Sequence, residues 1–279
     1  MKLSVIIVNH NTSRLLNQAL ATLKLAIQQL EAEVIVVDNA SADQSVKMLS
    51  SEFSGFHLIT NDKDMGFSKA ANKGIKAATG SHVLLMHPSM IIGEDTLEKI
   101  IDFMELHPDT GGLSVRMLDA EGHFVPESKK SMPEGWINFF KVTGLSRLFS
   151  KSQLFSHHYQ AGWSEEFENT ETDVLNNCFM LLRKDVLNKI GLFDERFPVY
   201  GHDIDLSYRI RLAGFKNYYF AKTFVIQQPV APVSKVSAHY IKNFYGAMLI
   251  FAAKYLFKMP ELRLKAMPRW SSPAYELKQ

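Results

Sequence analysis

His87 and Ser89 stand where an α/β protein does chemistry. They follow Val83-Leu84-Leu85-Met86, an apolar run halted at Pro88. In an open α/β sheet ligands lie off the carboxyl ends of the strands, so the first polar residues after such a run are placed to touch one. Asp38 has the same standing after Val34-Ile35-Val36-Val37. It can accept hydrogen bonds from a base or ribose, or equally cap the helix that follows. Asp205 and Arg209 are spaced i, i+4, and an intrahelix ion pair accounts for them. His157-His158 have no acid nearby and are assigned no ligand role.

The elements that must hold these residues can be read from periodicity. Ser4 to Val8 is a continuous β-branched run without polar alternation, as expected of a strand covered on both faces in a parallel sheet. Apolar residues from Leu15 to Ile27 recur at helical spacing, with Thr12 or Ser13 as the cap. Val34 to Val37 completes a β-α-β unit. Asp43 to Phe53 reads as a helix, His57 to Thr60 as a strand, and Phe67 to Ala78 as a helix of small residues capped by Gly80. The His87 strand follows, then a helix from Thr96 to Leu106 stopped by His107-Pro108. Farther on, Cys178 to Leu182 reads as a strand and Lys184 to Ile190 as a helix. A second helix has Leu206, Ile210 and Leu212 inward and Gly214 at its end, and Tyr218 to Ile226 is a last strand. Strands alternating with helices define an α/β chain with a doubly wound sheet.

Between Gly122 and Gly162 the pattern loosens into aromatics (Trp136, Phe139, Phe140, Phe149, Phe155) mixed with Lys129, Lys130, Lys141, Arg147 and Lys151. This stretch fits a mobile lid or membrane-surface element, or equally a small helical subdomain packed by its aromatics. The Ser237 to Phe257 helix has too short an apolar stretch to span a bilayer and reads first as a packing helix. Its Lys242, Lys254 and Lys258, with Arg263, Lys265, Arg269 and Trp270 of the tail, also suit an anionic membrane interface or a homodimer contact.

With 279 residues and 46% apolar content the chain has ample core. A net charge of +2, from 31 basic and 29 acidic residues, gives no field for nucleic acid. The single cysteine, Cys178, and the lack of a signal-peptide core place the expected residence in the cytoplasm, with a peripheral contact at the inner face of the membrane left open.

The loop after the first strand, Asn9-His10-Asn11-Thr12-Ser13, has no glycine, which argues against a dinucleotide pyrophosphate there. Instead, Val5-Ile6-Ile7-Val8-Asn9-His10-Asn11, Val36-Val37-Asp38-Asn39-Ala40-Ser41-Ala42-Asp43, Asn61 with Met65-Gly66-Phe67, and Ala71-Asn72-Lys73-Gly74-Ile75 resemble the family 2 glycosyltransferases of GT-A fold. Phe179-Met180-Leu181-Leu182-Arg183, Gly191-Leu192-Phe193-Asp194-Glu195-Arg196-Phe197 and Tyr200-Gly201-His202-Asp203-Ile204-Asp205-Leu206 resemble the acceptor-side signature of its rhamnosyltransferase-like branch. The resemblance implies a Rossmann-like nucleotide-binding half over 1–115, a mixed acceptor-side half over 116–232, and a C-terminal helix and tail over 233–279. It further implies transfer of a sugar, with inversion, from a nucleoside diphosphate sugar to a glycan or lipid-linked acceptor in cell-surface polysaccharide synthesis. Asn9, Asn11, Asp38, Gly66, His87 and Ser89 would bind the donor, Asp203 would be the base, and a divalent cation, Mn or Mg, would neutralise the leaving diphosphate.

Several positions depart from that pattern. His87-Pro88-Ser89 replaces the family's acidic Asn-Pro-Asp or Asp-x-Asp, so the metal-binding charge is missing. Gly201-His202-Asp203 replaces Gly-Glu-Asp. Gln227-Gln228-Pro229-Val230-Ala231-Pro232-Val233 has neither the His nor the Gly of the phosphate-closing turn, and Asn176-Asn177-Cys178 replaces small residues. Two further readings follow. His87, His202 and Asp203 could form a different metal site. Alternatively, the chain is a pseudo-glycosyltransferase kept as a binding or scaffold subunit.

Overall fold

In the computed structural model, residues 2–129, 135–138, 166–197, 199–230 and 238–255 are described. Strands β1 (Leu3–Asn9), β2 (Ala32–Asp38), β3 (His57–Thr60) and β4 (His82–Met86) alternate with helices α1 (Ser13–Ala26), α2 (Ser45–Glu52) and α3 (Phe67–Ala77). They are followed by β5 (Met90–Ile92), α4 (Thr96–Leu106) and β6 (Thr110–Leu118). The later elements are β7 (Thr170–Glu171), β8 (Phe179–Arg183), α5 (Lys184–Ile190), α6 (His202–Leu212), β9 (Lys216–Gln227) and α7 (Ala238–Tyr255).

Nine strands make one sheet in the order β3-β2-β1-β4-β8-β6-β9-β5, with β7 also paired to β9. β1, β2, β3 and β4 are mutually parallel. β8 runs antiparallel to β4 and to β6, which restores the first direction in β6 and in its parallel partner β9. The carboxyl ends of β1, β2, β4, β6 and β9 therefore share one end of the sheet. The sheet is mixed, as expected, and β6 straddles the residue 115 division between the expected halves.

Both faces are covered, which is why the central strands carry unbroken apolar runs. Leu3, Val5 and Ile7 pack with Leu16, Leu20 and Leu23 of α1 and with Ile100 and Met104 of α4. Ile6, Val83 and Leu85 face the other way, onto Ala70, Ala71 and Ile75 of α3 and Leu206 and Ile210 of α6. A third cluster joins Trp136, Phe197 and Ile204 to Ala247, Met248 and Phe251 of α7.

Two local expectations are corrected, and a third, the Thr12 cap, holds in position but not in its side-chain bond. Leu212 is 62% exposed, because at 100° per residue it lies far round the helix from Leu206 and Ile210. Gly80 does not cap α3, whose C-cap is Ala78. A Cβ at Gly80 would come within 2.7 Å of the Leu3 and Ser4 backbone, so close strand approach requires the glycine. Thr12 occupies the N-cap of α1 without a side-chain cap bond, since its hydroxyl is turned to Asn9. Gly214 is as expected: Phe215 N–H reaches Ile210 O and Gly214 N–H reaches Arg211 O, a Schellman ending with Gly214 at φ 88°.

α7 is a packing helix. Lys254 donates to Asp194 (2.8 Å) and Asp205 (2.6 Å), and Tyr255 donates to the same Asp205 oxygen (2.7 Å). The Asp205–Arg209 pair is present at 2.9 Å. Among the described residues no helix is long and apolar enough to cross a membrane. Of the aromatic stretch, Trp136 is fully buried against Phe251 and Phe244; Phe139, Phe140, Phe149, Phe155 and His157-His158 lie outside the described residues.

Candidate active site

Side chains tie together the loops that leave β1, β2 and β3. Asn9, fully buried, donates to Asp38 Oδ1 (2.9 Å) and Ser41 Oγ (3.1 Å) and accepts from the Thr12 hydroxyl (2.6 Å). The other Asp38 oxygen accepts the Ser41 N–H, three residues on, at 2.9 Å. Asp38 therefore shapes its own loop and does not cap α2. Asp43 takes the helix-entry role, accepting Ser45 N–H (2.9 Å) and Ser13 N–H (2.8 Å). Burial opposes its ionisation, yet hydrogen bonds from Ser45 and Ser13 outweigh that and lower its pKa.

Two residues in these loops hold left-handed backbone, Asn11 at φ 52° and Ala40 at φ 62°. Such conformations are costly for an alanine and persist where surrounding bonds over-determine them. Here Asn11 N–H donates to Ser41 Oγ (2.9 Å) and Asn11 Oδ1 accepts Ala42 N–H (2.7 Å). Asn39 extends the network: its Oδ1 accepts Asn61 Nδ2 (3.1 Å) and Met65 N–H (3.0 Å), and its Nδ2 donates to Asp64. Asp64 also accepts Gly66 N–H at 2.8 Å. Gly66, at φ 76° and ψ 161°, has backbone open essentially to glycine alone and delivers the chain into α3.

Beyond β4, Ser89 N–H donates to His87 Nδ1 (3.2 Å) and the Ser89 hydroxyl lies 2.8 Å from the same nitrogen. His87 N–H is anchored on the Cys178 carbonyl at 2.8 Å. Burial pushes the His87 imidazole down to about 4, so the ring is neutral at pH 7.

Farther along, α3 stitches down the chain that leads into α6. Ser68 donates to Phe197 O (2.8 Å), and Asn72 exchanges bonds with the Phe193 backbone (2.9 and 3.0 Å). Gly201, at φ 84°, then turns the chain so that Asp203 falls in the first turn of α6, only 2% exposed. A pocket here is lined by Trp136, Asn177, Tyr200, Gly201, His202, Asp203 and Phe244. Asn177 adjoins Cys178, whose carbonyl holds His87, so this pocket and the post-β4 loop are neighbours.

His202 borders the same pocket, but its ring is turned to neighbouring aromatics. Successive helical residues diverge by about 100°, and its ring is buried beside Phe67 and Phe193, with centroids 4.7 and 5.7 Å away. Among the described residues no group of three or more His, Cys, Asp or Glu could hold a metal ion, so the alternative centre of His87, His202 and Asp203 is not assembled. Nor does the post-β4 loop fit a hard divalent cation, which takes oxygen ligands, carboxylates above all. His87 and Ser89 bring no charge, and the His87 Nδ1 lone pair is engaged by Ser89.

Sequence reasoning missed Asn39 as the hub of the three loops, Asn177 in the pocket wall, and Lys254 as the tie to α7. Asn39 lay within a motif already singled out. Lys254 had no local signal, because its partners Asp194 and Asp205 are 60 and 49 residues away.

Known structures share this architecture. S. aureus TarS 1–349 in complex with UDP-GlcNAc matches 94% of this chain and 69% of that one, with TM-score 0.62 and 19% identity. The mannosyltransferase PcManGT from Pyrobaculum calidifontis, in complex with GDP-Man and Mn2+, matches with TM-score 0.57 and 17% identity, over 86% of this chain and 59% of that one. Against the larger TarS structure this chain spans 41% of its length. The fold is thus GT-A. Within that class the chain belongs to glycosyl transferase family 2, whose sequence profile matches residues 4–191. A relative in sequence is the N-acetylglucosaminyl-diphospho-decaprenol L-rhamnosyltransferase of Mycobacterium tuberculosis, 21% identical over 269 residues, covering 90% of this chain and 84% of that protein.

Proposed function

We propose that the protein is an inverting glycosyltransferase that moves a sugar from a nucleoside diphosphate donor to a glycan or lipid-linked acceptor. One observation supports this above the rest: buried Asp203 lines a pocket whose wall, Asn177, adjoins the residue that anchors the post-β4 loop. The half running to residue 115 holds the donor, with Asn9, Asn11, Asp38 and Gly66 shaping the nucleoside loops and His87 and Ser89 beside the diphosphate. Residues 116–232 present the acceptor. Asp203 takes the proton from the acceptor hydroxyl as its oxygen attacks the anomeric carbon from the face opposite the diphosphate. The bond from that carbon to the phosphate oxygen breaks, and the diphosphate leaves with the electron pair. A positioned carboxylate base contributes a factor of about 10²–10⁴ in rate.

A lipid-linked acceptor suits the outer face of α7, where Ile241, Tyr245 and Leu249 are 46%, 47% and 52% exposed at i, i+4, i+8 beside exposed Lys242. That face matches peripheral membrane contact better than a further packing role. The test of function is release of nucleoside diphosphate from UDP-, GDP- and dTDP-sugars by the full-length protein. Consumption of one donor supports the transferase; binding of a donor with no release under any acceptor supply would turn the reading to a pseudoenzyme.

A further inference from the structure

We propose that His87 and Gln228 form a metal-free cradle for the donor's diphosphate, a site where neutral hydrogen-bond donors stand in place of a divalent cation. The proposal rests on the donor-binding reading above.

The tautomer of His87 follows from its partner. A backbone N–H can only donate, so the bond from Ser89 N–H makes Nδ1 the acceptor and puts the ring proton on Nε2. Ser89 Oγ, 2.8 Å from the same Nδ1, strengthens that arrangement by donating to it. The loop thereby uses one imidazole nitrogen to close its own turn, much as an Asp side chain would. The second nitrogen remains as an N–H with no hydrogen bond to a described residue, on a half-buried ring at the carboxyl end of β4.

Gln228 flanks the same loop from the other side. β5 and β9 pair antiparallel, Met90 opposite Gln227, and the next residue's N–H donates to Ser89 O at 2.8 Å. The Gln228 side-chain Nε2 is buried without a hydrogen-bond partner among the described residues. Buried polar groups are ordinarily satisfied, and an amide donor left over among the described residues at the carboxyl end of the sheet points to an acceptor from a ligand. The His87 Nε2–H and the buried Gln228 Nε2 present donors on either side of Ser89, whereas a cation needs lone pairs, carboxylate oxygens above all. These donors are right for phosphate oxygens, which accept several hydrogen bonds at once. The low pKa of His87 fits the same picture, because its imidazole serves as a donor without carrying charge.

Calorimetric titration of the full-length protein with UDP, GDP and dTDP, in EDTA and then in Mn²⁺, tests the proposal. The nucleotide that binds is expected to do so within about twofold in both conditions. Gln228→Leu and His87→Phe are each expected to weaken it about tenfold while changing affinity for the matching nucleoside monophosphate less than twofold. Gln228→Glu should weaken the diphosphate more than Gln228→Leu, by placing a carboxylate against it. Wild-type binding that disappears in EDTA would overturn the cradle and leave the donor-binding reading standing. So would unchanged affinity in both Gln228→Leu and His87→Phe. No binding of any of the three in either condition would overturn the donor-binding reading and the cradle with it.

Discussion

Replacing Lys254 by methionine should loosen the docking of α7 against α6 and the chain around Asp194. Its ammonium lies between Asp194 (2.8 Å) and Asp205 (2.6 Å), whose side chains are 14% and 0% exposed. Stripping one partner from a buried ion pair costs about 3–5 kcal/mol when the remaining charge is left alone. Neither acid would be alone. Asp205 keeps Arg209 Nε at 2.9 Å and Tyr255 OH at 2.7 Å, and Asp194 keeps Arg196 at 2.5 Å. The expected loss is therefore below that range, ~2–3 kcal/mol. At ~2–4 °C per kcal/mol for a chain of this size, the melting temperature should fall by roughly 4–12 °C. Urea unfolding measures the same loss, with Lys242→Met on the exposed face as a control expected to stay within about 0.5 kcal/mol. Acid adds a signature. Burial alone would raise the Asp194 pKa, but Arg196 and Lys254 hold it well below its ordinary 3.8. An acid with a depressed folded-state pKa contributes stability above its unfolded pKa and loses it as pH falls through the folded value. The wild type should therefore lose stability below about pH 4, and more steeply than Lys254→Met. Equal midpoints and equal acid slopes in the two proteins would refute the claim that this lysine docks α7.

Three other outcomes are expected. Gly201→Ala should cost about 1–3 kcal/mol in thermal unfolding, since the residue sits at φ 84° and an added Cβ would meet Phe197 at 3.0 Å and Trp136 at 3.1 Å. Asn9→Ala removes the amide that joins Asp38 to Ser41 and should weaken nucleotide binding about tenfold by calorimetry, roughly 1.4 kcal/mol. His87 has its folded pKa lowered by burial to about 4, from an ordinary 6.5, so the unfolded chain binds more protons between those values and stability should rise with pH across that window. His87→Gln should flatten the rise in a series of urea melts.

The first half of the fold was legible because its strands are covered on both faces and its helices are amphipathic. β3, α4 and α5 begin and end at the residues that periodicity indicates. β6 was invisible for a physical reason. Near its start it carries Gly111 and Gly112, poor strand formers, and a Cβ at those positions would strike Ile210 at 2.5 Å and Leu175 at 2.3 Å. Gly111 answers to Ile210 of α6 and Gly112 to Leu175 before β8, both far along the chain, and no local pattern records that. β5 and β7, with three and two residues, are too short to show a period. At the site, the loops around Asn9 and Asp38 were located by where their strands end. The Gln228 amide drew notice only through the histidine missing from its segment, and its unsatisfied nitrogen emerged once β9 was seen to end beside Ser89.

The central claim is that buried Asp203 is the base of a transfer reaction whose donor is held by other residues. Asp203→Asn keeps the shape and removes the basicity. With whichever nucleotide sugar the wild type consumes, turnover should fall about 100-fold or more while the dissociation constant for the matching nucleoside diphosphate stays within about twofold. Turnover within tenfold of wild type would contradict the assignment.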